Sequence, residues 1–155
     1  MSNSKPVSAI PRKILSPIDF SAPSTTALAT ATDLARHFHA ELVLVHVIPM
    51  LPPVSGADFF KETEYMRELQ RDAEGRLRAM LAPILASGVT AESVVAVSGD
   101  TAGEILRVAT AKDIDMIVIA THGMTGWRPM IFGSIAEKVV KLAHCPVLVI
   151  RAPNA

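Results

Sequence analysis

The chain alternates between two hydrophobic rhythms, and that alternation restricts its fold more than any other feature. Short runs dense in Val, Ile and Leu occur at Lys13 to Asp19 (KILSPID), Glu41 to Ile48 (ELVLVHVI), Ser93 to Val97, Ile114 to Ala120 (IDMIVIA) and Pro146 to Arg151 (PVLVIR). Few charges interrupt them, which is the pattern of strands buried on both faces. Between the runs, apolar residues recur at helical spacing. A first helix is predicted from about Ser24 (Leu28, Ala31, Leu34, Ala35, Phe38) and a long one over Lys61 to Ala86 (Met66, Leu69, Ala73, Leu77, Met80, Ile84). A third helix follows Gly99-Asp100, and a fourth covers Ile135 to Leu142. Five strands separated by helices predict a doubly wound α/β fold: a five-stranded parallel sheet, simplest order 3-2-1-4-5, with helices on both faces. In that order the first and fourth strands end side by side, at the switch point where open α/β sheets bind ligands. Function is therefore expected at Pro17 to Ser21 and at Thr121 to Ser134.

Local signals refine this outline. Pro17 must occupy a position where the ladder needs no donor. Pro52, Pro53 and Gly56 mark a loop over Pro49 to Phe60. The long helix places Asp72 before Arg76 and Glu74 before Arg78 at four-residue spacing, and the balanced signs read as a solvated face. Pro83 is expected to kink or end that helix. Thr101 and Glu104 have capping-box spacing at the start of the third helix. The chain shows no internal repeat, linker or second domain, so residues 1–155 are expected to form a single domain, with residues 1–11 a flexible N-terminal segment.

Composition excludes several classes of function. Lys plus Arg and Asp plus Glu are both 15, giving a formal charge of zero, whereas chains that neutralise nucleic-acid phosphates carry a basic excess or stripe. With 50% apolar and 19% charged residues, the chain can bury a core. Cys145 is the sole cysteine, so neither an intrachain disulfide nor a Cys-based metal cluster is available, and the reducing cytoplasm is the expected location. The longest apolar stretch, Ala79 to Ala86, is interrupted by Pro83 and is far shorter than the ~20 residues a bilayer requires. Met1 to Pro11 lacks the apolar core of a secretory signal. No membrane partner is expected.

The residues able to carry chemistry gather in Ala120 to Ser134 (ATHGMTGWRPMIFGS), where Gly123, Gly126 and Gly133 follow the fourth strand and precede a helix. Glycines let backbone amides approach a ligand, and a helix start offers unpaired N–H groups with partial positive charge; together they make a phosphate site from backbone. The stretch is neither a P-loop nor GxGxxG, and turn glycines explain it as well. Ser134 forms the capping pattern S-x-x-E with Glu137, and its hydroxyl could equally meet a phosphate oxygen. Asp19 ends a buried strand, where a carboxylate needs a partner or a cleft; either it accepts from a ribose or base, or it caps the first helix with Ser21. His37 and His39 lie near a helix end, and His46 reads as a satisfied core residue. His122 falls in the glycine stretch, where it could donate to an anion or orient the loop, and His144 precedes Cys145. The five histidines do not make a metal set, and no nucleophile, base and orienter form a triad.

These residues together resemble the universal stress protein family, in its single-domain, ATP-binding form, from Arg12 to Arg151. The family's opening I-L-x-P-x-D-x-S is matched by Ile14, Leu15, Pro17, Asp19 and Ser21, the H-V ending its second strand by His46 and Val47, and its closing C-P-V-L-V-I-R by Cys145 to Arg151. Of the ATP-binding motif G-x2-G-x9-G-S/T, Gly123, Gly133 and Ser134 match; the first glycine is Ala120 here. The resemblance implies an adenine nucleotide alpha hydrolase-like fold. It places Pro17, Asp19 and Val47 around adenine and ribose, and Gly123, Gly133 and Ser134 on the phosphates. It implies ATP (or AMP or ADP) as ligand, with Mg or Mn held through the phosphates, and a homodimer made by antiparallel pairing of the last strands, Val147 to Ile150. The methyl of Ala120 is expected to weaken ATP binding without abolishing it. Arg128 could clamp a phosphate or be an ordinary solvated arginine; Trp127 could cover the pocket or meet a partner. The expected function is an ATP-dependent switch in the stress response. The alternatives are a slow Mg/Mn-dependent ATPase and a dimeric interaction module with a vestigial pocket.

Overall fold

The computed structural model describes residues 10–50, 58–121 and 133–151. Strands and helices alternate as β1 (Lys13–Pro17), α1 (Ala22–Phe38), β2 (Glu41–Pro49), α2 (Asp58–Ala86), β3 (Ala91–Ser98), α3 (Thr101–Ala111), β4 (Met116–Ala120), α4 (Ser134–Leu142) and β5 (Val147–Ile150). The strands form one parallel sheet in the order β3-β2-β1-β4-β5, the order expected from the sequence.

Strand alternation sends successive side chains to opposite faces, and each face receives its own pair of helices. Ile14, Leu42, Leu44 and Val118 pack against Ala27, Leu28 and Ala31 of α1 and Leu77, Leu81 and Ile84 of α2. Leu15, Val43, Val45, Ile117 and Ile119 pack against Ile105 and Val108 of α3 and Ala136 and Val139 of α4. The central strands are thus buried on both sides. The edge strands β3 and β5 are only half-buried, with Val97 and Leu148 exposed.

Several boundaries differ from the sequence reading. The helix α2 begins at Asp58, inside the loop expected from Pro49 to Phe60, and Pro49 extends β2 by pairing with Ser98. Pro83 does not stop α2, which runs on to Ala86. It lies in the last turn, on the exposed side, while Leu81 and Ile84 beside it dock in the core. The last-turn carbonyls are satisfied by Ser87, whose N–H reaches Pro83 O at 3.1 Å and whose Oγ donates to Ile84 O at 2.7 Å. Gly88, at φ +88°, then turns the chain out of the helix. The Asp72–Arg76 pair is present at 3.9 Å between exposed side chains.

The feature that positions a site is a split in the sheet. β1 pairs with β2 along its whole length, Lys13 to Pro17, but with β4 only at Ile14 and Leu15. Beyond Leu15 and Ile117 the two inner strands diverge, β4 staying with β5 up to Ala120. Pro17 explains how this is tolerated. Ile18 N–H donates to Val45 O of β2 at 2.7 Å, whereas Lys13 N–H turns the other way, to Asp115 at 3.0 Å. Position 17 therefore faces β4, and proline leaves no donor there to orphan.

Candidate functional site

The divergence of β1 and β4 opens a crevice of about 200 Å³ at the carboxyl ends of the strands. One side is made by Pro17, Ile18 and Asp19, with Val45 and Val47 of β2 beneath them. The other is made by Ala120 and Thr121 at the end of β4, and by Gly133 and Ser134 at the start of α4. Six residues singled out in the sequence are therefore brought together: Pro17, Asp19, Val47, Ala120, Gly133 and Ser134. His122, Gly123 and Arg128, with Trp127, lie outside the described residues.

Of the two roles expected for Asp19, the contact with Ser21 at the start of α1 is present. Asp19 Oδ1 accepts the Ser21 N–H at 2.9 Å and also the Ser21 hydroxyl, which fixes the turn into α1. Ser21 in turn is the N-cap of α1, its Oγ accepting from Ser24 N at 3.3 Å. Among the described residues Asp19 Oδ2 has no hydrogen-bond partner, so one carboxylate oxygen is held and the other is open. His46 is half-buried, and its Nδ1 lies 2.7 Å from Ile18 O. It is satisfied as expected, but at the crevice and not in the core.

Two helix starts face the opening, and both caps fall one residue earlier than capping-box spacing suggests. In α3 the cap is Asp100, whose Oδ1 accepts from Gly103 N at 3.0 Å, and Thr101 is left to line the crevice. A Cβ at position 103 would push the Asp100 carboxylate out of this capping position. In α4 the cap is Gly133, with extended backbone (φ −69°, ψ 157°) and no side-chain bond to the first turn. Ser134 is thus the first helical residue and does not cap; Glu137 pairs instead with Lys141 Nζ at 2.8 Å. The φ of Gly133 is one that any residue adopts, so its value at this place is the missing side chain, which leaves the first amides of α4 accessible. Gly133 N–H also donates to Thr121 O at 2.5 Å, fastening the start of α4 to the end of β4.

Lys138 of α4 reaches Asp100 Oδ2 at 2.8 Å and ties the two helix starts together. That hydrogen bond, with the Gly103 amide, holds the Asp100 carboxyl below its usual value. Thr101, Thr121, Ser24 and Ile105 also line the crevice. Thr121 opens the stretch where function is expected from the sequence, and Thr101 reads there as a cap; Ser24 and Ile105 are brought in only by tertiary packing.

The space corresponds to roughly seven waters at ~30 Å³ each. It has apolar walls from Val45, Val47, Ile105 and Ile119, one carboxylate, and an uncapped helix start opposite. Apolar walls suit a flat heterocycle, an acceptor oxygen suits hydroxyl or amine groups, and exposed first-turn amides suit an anion.

Fold and crevice together define a doubly wound α/β protein with a crevice at its switch point. The chain belongs to the universal stress protein family, whose model matches residues 11–151. It is 34% identical over 147 residues to universal stress protein MJ0531 of Methanocaldococcus jannaschii, covering 92% of this chain and 84% of that one. It is 33% identical to universal stress protein YxiE of Bacillus subtilis, covering 90% and 98% of the two chains. Among solved structures, MJ0577 of M. jannaschii, also a universal stress protein, superposes with a TM-score of 0.80 at 26% identity, covering 94% of this chain and 99% of that one.

Proposed function

We propose that the chain is a cytoplasmic stress-response protein that binds an adenine nucleotide in the crevice and uses its occupancy as a switch. The observation that carries this reading is the pairing of Asp19, one oxygen still open, with the uncapped start of α4 across the gap between β1 and β4. Adenine would lie on Val47 and Pro17, the ribose hydroxyls would donate to Asp19, and the phosphates would sit beside Gly133 and accept from the amides of Ser134 and Ile135 that open α4. Gly123, His122 and Arg128 would add to the phosphate side. Two proteins of this fold support the ligand class. A universal stress protein of Archaeoglobus fulgidus was solved in complex with dAMP, and another universal stress protein in complex with cAMP. At 23% and 17% identity they speak for the fold, and the residues above carry the argument for this chain.

Among the described residues no three His, Cys, Asp or Glu side chains converge on one point. The residues present therefore do not fit a metal held by protein alone, and Mg or Mn would come coordinated by the phosphates. The second component of the proposal is a homodimer through β5. That strand pairs on one side only, and Leu148 on it, with Val140 and Leu142 on the adjoining α4, is exposed.

Denaturing the purified protein and identifying released nucleotide by mass spectrometry, with calorimetry on added ATP and Mg, tests the reading. An adenine nucleotide or measurable binding is expected; neither one would overturn it. Asp19→Ala should weaken binding about tenfold or more, the worth of a hydrogen bond to a charged group, and Gly133→Val should weaken it by covering the first amides of α4. Unchanged affinity in both, with the fold retained, would place the ligand elsewhere. A turnover assay on the bound nucleotide separates a switch from a slow ATPase.

A further inference from the structure

Phe20, the residue after Asp19, has φ +62°. A left-handed backbone is costly for any side chain with a Cβ and rare for a bulky one, so something must hold it. Two groups do. The guanidinium of Arg76, on α2, lies 3.9 Å from the centre of the Phe20 ring. The His46 ring lies 4.5 Å from it, tilted by 43°. The His46 ring is itself anchored by its Nδ1 on Ile18 O at 2.7 Å. Ile18 N–H is in turn bound to Val45 O. Asp19 is thus flanked by a residue fixed at both its N–H and its carbonyl and by one whose ring is sandwiched.

We infer that Arg76 is a positioning residue for the nucleotide site: from α2 it holds Phe20 in its left-handed conformation, and Phe20 aims the Asp19 carboxylate into the crevice. The inference rests on the nucleotide reading for its ligand, but the positioning itself is visible without one. Arg76 touches no part of the crevice. Its side chain is 52% exposed, and its partner Asp72 on the same helix is 3.9 Å away, so the guanidinium is free to serve the ring. When the cation is lost, Phe20 relaxes to negative φ, the turn swings, and the bond from Ser21 N–H to Asp19 Oδ1 opens.

That bond supplies a readout independent of nucleotide. In Arg76→Met, amide hydrogen exchange at Ser21 should accelerate while the amides of Leu28 and Ala31 in α1 stay protected, and Arg76→Lys should restore most of the protection. Adenine-nucleotide affinity should fall about two- to five-fold in Arg76→Met, the range of a cation–π contact at a partly exposed site. Position 20 gives a sharper test. Phe20→Gly tolerates positive φ and Phe20→Ala does not, so the glycine variant should bind nucleotide at least about five-fold more tightly than the alanine variant. A ring needed only for apolar packing would give the reverse order. In the Phe20→Gly background Arg76→Met should have no further effect on affinity. Unchanged Ser21 exchange in Arg76→Met overturns the inference, as does tighter binding by Phe20→Ala than by Phe20→Gly. A wild-type protein that binds no nucleotide would overturn the proposed ligand, and the exchange measurement would still decide the role of Arg76.

Discussion

Ser16 is fully buried in β1, between Ile14 and Ile18 on the face that packs on α1 and α2, and among the described residues its Oγ has no hydrogen-bond partner. A buried hydroxyl without a partner has lost its water and gained nothing, a cost of ~1–3 kcal/mol. Ser16→Ala should therefore leave stability unchanged or raise it by about 1 kcal/mol in urea unfolding, and a loss of that size would reveal a partner. Cys145 makes the opposite kind of prediction. Burial, and secondarily the charge of Asp115, push its thiol from 9.0 up to about 11. A raised folded value means the thiol stays protonated; its contribution to stability is complete below pH 9 and is lost as pH rises toward 11. Alkylation by iodoacetamide at pH 8 should be slow and should climb about tenfold per pH unit past pH 9; a plateau by pH 9 would contradict the burial. Asp19 was legible in the sequence because a carboxylate ending an apolar strand has few places to go. The cap residues were legible only to within one position. Asp100 and Thr101 are both favoured cap residues, as are Gly133 and Ser134, and backbone angles choose between them.

The strands and the amphipathic helices could be read from periodicity because burial on two faces or one imposes it on the residues. Their ends could not, since a strand extends as far as its neighbour offers a ladder. β3 runs from Ala91 to Ser98 because β2 pairs with it along that length, although Glu92 within it carries no strand signal. The same reasoning identifies the element most dependent on one side chain. Helix α2 is polar over much of its surface and docks through Ala73, Leu77, Leu81 and Ile84, with Leu77 wholly buried. Leu77→Ala should cost ~2–5 kcal/mol in urea unfolding. A cost below about 1 kcal/mol would mean that α2 is not held as described. Surface pairs such as Asp72–Arg76 contribute little by comparison, since both partners are solvated.

At the scale of the whole molecule, a sheet with two edges must deal with both. If β5 pairs across a two-fold, wild-type protein should sediment as a dimer at micromolar concentration, and Leu148→Lys should yield a monomer whose nucleotide affinity is preserved. A strictly monomeric wild type would count against the pairing. Sequence showed the neutral exterior well: Lys138 with Asp100, Lys112 with Glu92 and Arg107 with Glu104 are pairs of opposite sign on the surface. It could not show the gap between β1 and β4, because only the register of the two strands defines it. That gap has a further consequence. Pro17 offers β4 no hydrogen, so the inner strands cannot zip together when nothing lies between them. If a nucleotide binds in that gap as proposed, no part of its binding free energy need be diverted into prying the sheet open. Capture should then proceed in one step, with an observed rate that rises in proportion to ligand concentration and does not level off at an opening rate.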